Sequence, residues 1–168
     1  MNLQRLSGFS TPRNRHFTLW ALALGCLLLS GCSATGAKFQ GLEKPDSDAG
    51  EIVVYRPDRL VRGGVAYYVH LDGKEVGMLK NAGFVALRTT PGTHVVLMKA
   101  GLQDFFMKAR TAEVVLLAGE RKFLRFEPSI TGSPIVLPNV AYVPVGFGFI
   151  AVPEGQAAIE LRDLNQSK

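Results

Sequence analysis

The stretch "VAYYVHLDGKEVGML", Val65 to Leu79, decides the fold class. Val65, Tyr67, Val69 and Leu71 fall on one face of an extended chain, and the residues between them fall on the other. Asp72-Gly73 follows, a pair that tolerates the positive φ angles of a tight hairpin turn. "KEVGML" then reads as the return strand. Working outward, the same grammar repeats. Upstream, "EIVVYR" (Glu51–Arg56) is a short β-branched run stopped by Pro57 and Asp58. Downstream, "FVALRT" and "THVVLMK" flank the turn Thr90-Pro91-Gly92, where proline sets φ and glycine relaxes it. "AEVVLLA", Gly119-Glu120 and "RKFLRF" make a further hairpin. Short strands at regular spacing with turn signals between them predict an all-β, antiparallel sandwich over residues 51–127.

The pattern changes past Glu127. "SITGSPIVLPNVAYVPVGFGFIAVP" is apolar but interrupted by Pro134, Pro138 and Pro144, which disfavour a helix or a central strand. Residues 128–168 are therefore expected as a Pro/Gly-rich apolar extension ending in a short helix, packed on the sandwich. In that helix Pro153 suits the first turn, Glu154 sits near the positive end, and Ala157, Leu161 and Leu164 share a face.

The amino-terminal third has another character. Arg5, Arg13, Arg15 and His16 precede "FTLWALALGCLLL" (Phe17–Leu29), with no acid among them. A charged start, a short apolar core and a small-residue exit make up a secretory signal over residues 1–31. The core falls short of the about 20 apolar residues of a spanning helix. No adjacent arginine pair marks a twin-arginine signal. The exit reads Leu29-Ser30-Gly31-Cys32 and resembles the lipobox of bacterial lipoproteins. Cys32 offers the strongest available nucleophile to a diacylglyceryl donor, small Ser30 and Gly31 admit a peptidase, and Leu29 fills an apolar subsite. Cys26 fits less well, because bulky Leu24 stands two positions before it. The resemblance implies acylation of Cys32, hence membrane lipid as a partner, with palmitate-type chains. Ser33, where an aspartate retains enteric lipoproteins in the inner membrane, favours the periplasmic face of the outer membrane. From Ser33 the chain runs "SATGAKFQGLEKPDSDAG", expected with Cys32 as a flexible tether over residues 32–50.

Cleavage before Cys32 leaves a single cysteine, so no disulfide forms within the mature chain. The chain has 168 residues and a formal net charge of +5, and three of those positive charges are leader arginines. The remaining charge gives no reason to expect nucleic acid as a partner.

The middle of the chain also resembles a known family. Tyr55-Arg56-Pro57, the hairpin Leu71-Asp72-Gly73-Lys74 and the turn Pro91-Gly92-Thr93-His94, in that order, resemble the bacterial family catalogued as domain of unknown function 2846. The hairpin and turn also look like PEGA-type domains, which implies a prealbumin-like sandwich. The resemblance spans about Glu51 to Phe126. It supplies no activity, substrate or catalytic residue.

Enzyme signatures are not found on these residues. His70 and His94 lie in expected strands without the spacing that converges ligands on a metal, so neither a metal nor another cofactor is expected. No GxSxG stretch appears, and the acids are scattered. Two features invite weighing. Arg56, Arg59 and Arg62 in "YRPDRLVRGG" are either an anion or carboxylate cradle or a loop fastened by an Arg–Asp contact. Phe147 and Phe149 in "VPVGFGFIAV" are either core or an exposed contact for a partner. The expected function is a lipid-anchored envelope module, structural or protein-binding rather than enzymatic. The alternative is a small-ligand or cell-wall binder, or an envelope enzyme, using the arginine loop.

Overall fold

The computed structural model describes residues 33–41, 43–60, 62–101, 108–130, 135–137, 140–142 and 145–167. The chain divides between Gly31 and Cys32 into two units, and the second, Cys32–Lys168, carries the fold described here. Residues 1–31, expected as a secretory signal, and Cys32, the expected acylation site, lie outside the described residues. Among the described residues no helix is long and apolar enough to cross a membrane.

Two sheets face each other. The first takes β1 (Gly50–Arg56), β4 (Gly83–Thr89), β7 (Arg121–Ile130), β10 (Val145–Val152) and β11 (Asn165–Gln166) in the order β10-β7-β1-β4-β11. The second takes β2 (Tyr67–Leu71), β3 (Lys74–Leu79), β5 (Gly92–Ala100) and β6 (Arg110–Leu116) in the order β3-β2-β5-β6. A separate hairpin pairs β8 (Ile135–Leu137) with β9 (Val140–Tyr142). The β2–β3 turn forms as its sequence requires: Asp72 and Gly73 hold φ of 51° and 83°, matching the right-handed twist of the flanking strands.

Side-chain alternation builds the layers. Ile52 and Val54 of β1 point between the sheets, where they meet Tyr67, Val69, Val96, Met98 and Leu124. Val53 and Tyr55 point the other way, beneath α1 (Glu154–Leu161), whose Ala157 and Leu161 are buried, and beside Leu164 and Phe39. β1 is thus buried along its whole length, and its near-continuous apolar run follows from being covered on both faces. Ala157, Leu161 and Leu164 share one face, as their spacing requires.

The all-β sandwich therefore stands, with three departures from the sequence reading. First, the five-stranded sheet is mixed, since β1 and β7 are parallel and so are β4 and β11. After β4 the chain makes two antiparallel passes in the second sheet, β5 and β6, and so returns running in the direction of β1. Second, the supposed tether is docked over Ser33–Phe39. Ala34 N donates to the Asn81 carbonyl at 2.9 Å, Gly36 N to Gln166 at 3.0 Å and Phe39 N to Leu164 at 2.9 Å, while Gln166 N donates to the Ala37 carbonyl at 2.8 Å. Small residues there allow close approach of two backbones, and Phe39 packs edge-on to Phe84 at 5.6 Å. Third, the sandwich does not close at residue 127. β7 continues to Ile130 and β10 pairs with it from Val145 to Val152. Pro128 is tolerated because β7 has by then outrun β1, whose last pairing is Tyr55 with Arg125.

Candidate functional site

The end of the sandwich where β1 finishes gathers the polar residues that the sequence singles out. Pro57 stops β1, and the chain loops back to β2. Arg56, the last residue of β1, is fully buried. Its guanidinium donates to the Val65 carbonyl at 2.6 Å and the Arg62 carbonyl at 2.7 Å, so it fastens the loop from within. It lies 5.1 Å from the Tyr67 ring centroid and 6.0 Å from that of Phe147. Burial pulls its pKa below the usual arginine value, opposed by Tyr67 and Asp58.

The three arginines do not converge on a common cradle. Arg59 reaches Glu127 at 3.9 Å, and Arg62 stacks over Phe147 at 5.5 Å. The loop is fastened by Arg59 Nη1, which donates to the Asp58 carbonyl at 3.2 Å, and by Asn81, whose Oδ1 accepts from Arg59 N at 3.1 Å and whose Nδ2 donates to Asp58 Oδ1 at 2.5 Å. Arg56 and Phe147 are buried, so neither side chain is presented to solvent. Phe147 is only 2% exposed and stacks on Phe126 at 5.5 Å, which in turn meets Tyr67 at 5.0 Å. Phe149, partly buried, packs on Phe126 at 5.3 Å. Four aromatic rings thus close this end of the core.

Beside the loop lies an open groove of about 420 Å³ between Pro57–Arg59, Ala82 and the end of α1, with Arg125 and Glu160 on its wall. Tyr55 Oη donates to Glu160 Oε2 at 2.6 Å, and Arg125 and Gln156 each donate to Glu160 Oε1 at 2.7 Å. Arg125 also pairs with Glu127 at 3.1 Å. Burial, then the hydrogen bond to Glu160 and its charge, push the Tyr55 phenol well above its ordinary pKa. Burial would raise Glu160, but hydrogen bonds from Tyr55 and Gln156 and the charge of Arg125 outweigh it and hold the carboxyl below its usual range. At neutral pH Tyr55 keeps its proton and Glu160 has none to give. Sequence reasoning missed Asn81, Arg125, Glu127 and Glu160, and the side-chain partner of Tyr55, because strand pairing and the return of α1 bring them together from distant positions.

A larger groove, about 570 Å³, runs between β6, β7 and β10 past Glu113, Arg121, Lys122 and Glu154. Arg121 there is bound to Glu51 at 2.5 Å and Lys122 to Glu120 at 2.6 Å.

The two histidines lie apart in the second sheet. His94 is buried, with Nδ1 2.7 Å from Asp72 Oδ2 and Nε2 2.8 Å from the Thr90 carbonyl. Two acceptors around one ring favour the imidazolium. The Asp72 hydrogen bond accordingly raises the His94 pKa against the opposing effect of burial, with Thr90 adding to the rise. His70 sits opposite Leu97 on β5, with Nε2 3.9 Å from Glu75. Among the described residues no three His, Cys, Asp or Glu side chains gather to hold a metal.

Compared with known families, residues 46–138 match the one described as "Protein of unknown function (DUF2846)". No curated protein and no solved structure matches the chain. The matched span runs from the approach to β1 through β8, so β9, β10, α1 and β11 lie beyond it.

Proposed function

The chain belongs to the DUF2846 family of proteins of unknown function, and from that premise we propose that it is a lipid-anchored module of the bacterial cell envelope. In this reading residues 1–31 are a secretory leader, Cys32 carries the acyl chains, and the sandwich faces the periplasm from the outer membrane. The observation that carries it is Leu29-Ser30-Gly31-Cys32 at the end of a charged and then apolar leader. The boundary between the two units of the chain, at Gly31/Cys32, supports it. The module acts by binding or bracing another envelope protein rather than by catalysis. In support, Tyr55, Arg125, Glu127 and Glu160 hold one another, and His94 is occupied by Asp72 and Thr90. Fractionation tests the anchor: the wild-type protein stays with membranes through a high-salt wash and needs detergent for release, whereas Cys32→Ala is released without it. Equal behaviour of the two proteins would sink the proposal.

One observation favours a second reading, small-ligand binding: the groove beside Arg59 and Arg125 is open and large enough for a small carboxylate. Thermal-shift measurements with acetate, succinate and short acidic peptides test it. A rise in melting temperature that Arg59→Ala removes would support that reading, and no rise with any of them would count against it.

A further inference from the structure

Three independent features share one end of the sandwich. The first is the start of the docked segment. Ser33 forms a bridge with Asn81, Ala34 donates to the Asn81 carbonyl at 2.9 Å, and Ala34 is only 2% exposed. The chain is therefore fixed to the domain one residue after Cys32. The second is the loop held by the side chain of that same Asn81 through Asp58 and the Arg59 amide. At its tip Leu60 is 102% exposed, between half-exposed Arg59 and exposed Arg62. The third is the β7–β10 ribbon. β7 pairs with β1 as far as Arg125, opposite Tyr55, and runs on to Ile130, opposite Val145. β1 ends at Arg56, level with Phe126, so the four residues Glu127–Ile130 carry β7 roughly 13 Å beyond it at about 3.3 Å each. From Pro128 to Pro153 the sequence holds no charged residue, and this stretch includes the β8–β9 hairpin.

The geometry points to this end of the sandwich as a membrane-contacting surface, seated on the bilayer that holds Cys32. The inference rests on the proposed acylation of Cys32 and adds to it an orientation. A free tether would let the domain tumble away from the lipid. With Ser33 docked, the acyl chains leave the protein within one peptide unit of its surface, about 3.8 Å between consecutive Cα atoms. Leu60 then meets the boundary between headgroups and acyl chains, and Arg59 and Arg62 lie at the depth of the lipid phosphates. Of the acids nearby, Glu127 is paired with Arg125 and Arg59 and Glu160 with Arg125, whereas Asp58, hydrogen-bonded to the neutral Asn81 amide, and Asp163 keep their charge beside the loop. Beyond Glu127 the ribbon brings no charge that contact with lipid would strip of water. The Asp72-Gly73 and Pro91-Gly92 turns, at the other end of the strands, face away from the membrane and remain open to a partner.

Tryptophan fluorescence tests the orientation. The one tryptophan of the chain, Trp20, lies in the leader, so Leu60→Trp and Lys74→Trp each give the mature protein a single reporter, one at each end. Both replaced residues are exposed, so the fold tolerates either change. Each full-length variant is expressed in cells, extracted from membranes, weighed intact, and reconstituted into phosphatidylethanolamine–phosphatidylglycerol vesicles with brominated acyl chains. The expected result is a blue-shifted L60W emission, quenched at least threefold more than that of K74W. Equal quenching at the two positions, or unquenched L60W, on protein whose mass shows acyl chains would overturn the seating and leave the anchor standing. Photocrosslinking of position 60 to a protein in the native membrane, without lipid quenching, would do the same and make this end a protein interface. A mass without acyl chains would overturn the anchor and the seating together.

Discussion

Gly36→Ala should peel the amino-terminal segment from the sandwich while leaving the core intact. A Cβ at position 36 would lie well inside 3.0 Å of the Gln166 carbonyl oxygen, a distance real Cβ atoms respect. That oxygen belongs to backbone that pairs with β4, so it cannot swing aside as a side chain would. Ser33–Phe39 is held chiefly by four backbone hydrogen bonds, each about 1 kcal/mol net, so about 4 kcal/mol in all. An extra methyl forced into a filled site costs about 1–3 kcal/mol. The two are of similar size, so the strain is relieved by opening this segment rather than by unfolding the protein. Amide hydrogen exchange reads the effect directly. Protection of Ala34, Gly36, Phe39 and Gln166 should fall about tenfold to a hundredfold, at 1.4 kcal/mol per decade, while Val53 and Val54 in β1 hold theirs. The control is Gly155→Ala in α1, where a Cβ meets nothing within 4 Å and should stabilise by about 0.5–1 kcal/mol. Unchanged protection of those four amides in G36A, or a parallel loss in β1, would refute the docked segment.

Three further outcomes follow from the packing and the titrating groups. Arg56→Ala removes two charge-assisted bonds to loop carbonyls and should cost about 3 kcal/mol or more in denaturant unfolding. Arg56→Lys should recover little of it, because one ammonium lacks the fork that spans both carbonyls. Phe147→Ala should cost about 3–5 kcal/mol in the same assay, as a core ring does; a loss under 1 kcal/mol would contradict its place in the aromatic cluster. Asp72→Asn should return the raised His94 pKa toward its ordinary value, as read by NMR titration. Asp72, for its part, is held below its usual range by its hydrogen bond to His94, then by that from the Val95 amide. The stability that wild type holds over the asparagine variant is therefore greatest where Asp72 is ionised and His94 protonated. It fades on the alkaline side as pH rises above about 6.5 and through the raised folded value of His94. On the acid side it fades as pH falls through the depressed value of Asp72. A gap unchanged between pH 5 and pH 9 would argue against the pair.

Strand and turn chemistry is local, and the local parts were legible. Asp72-Gly73 bends where its residue types allow, and Tyr67 and Val69 face the core as their alternation requires. The parallel β1–β7 pairing was not legible, since strand direction depends on how many passes the chain makes elsewhere before returning. The docked Ser33–Phe39 segment reads as a linker by composition, because its small residues serve close approach of two backbones as well as they serve flexibility. At the candidate site, Arg56 stood out but its direction did not. A charged side chain is expected in solvent, and only the Val65 and Arg62 carbonyls turned inward by the loop make its burial tolerable. Asn81 passed as an ordinary turn residue, although its side chain and backbone tie three separate segments together. Glu160 meets Tyr55 across 105 residues of chain, a distance over which no spacing rule operates.

The intact mass of the protein extracted from membranes, beside that of Cys32→Ala, tests the account most directly. The anchored module requires a mass equal to residues Cys32–Lys168 plus a diacylglyceryl group and an amide-linked acyl chain, both lost in the alanine variant. A full-length mass without acyl chains would contradict it, and the leader would then be a retained segment rather than a discarded one.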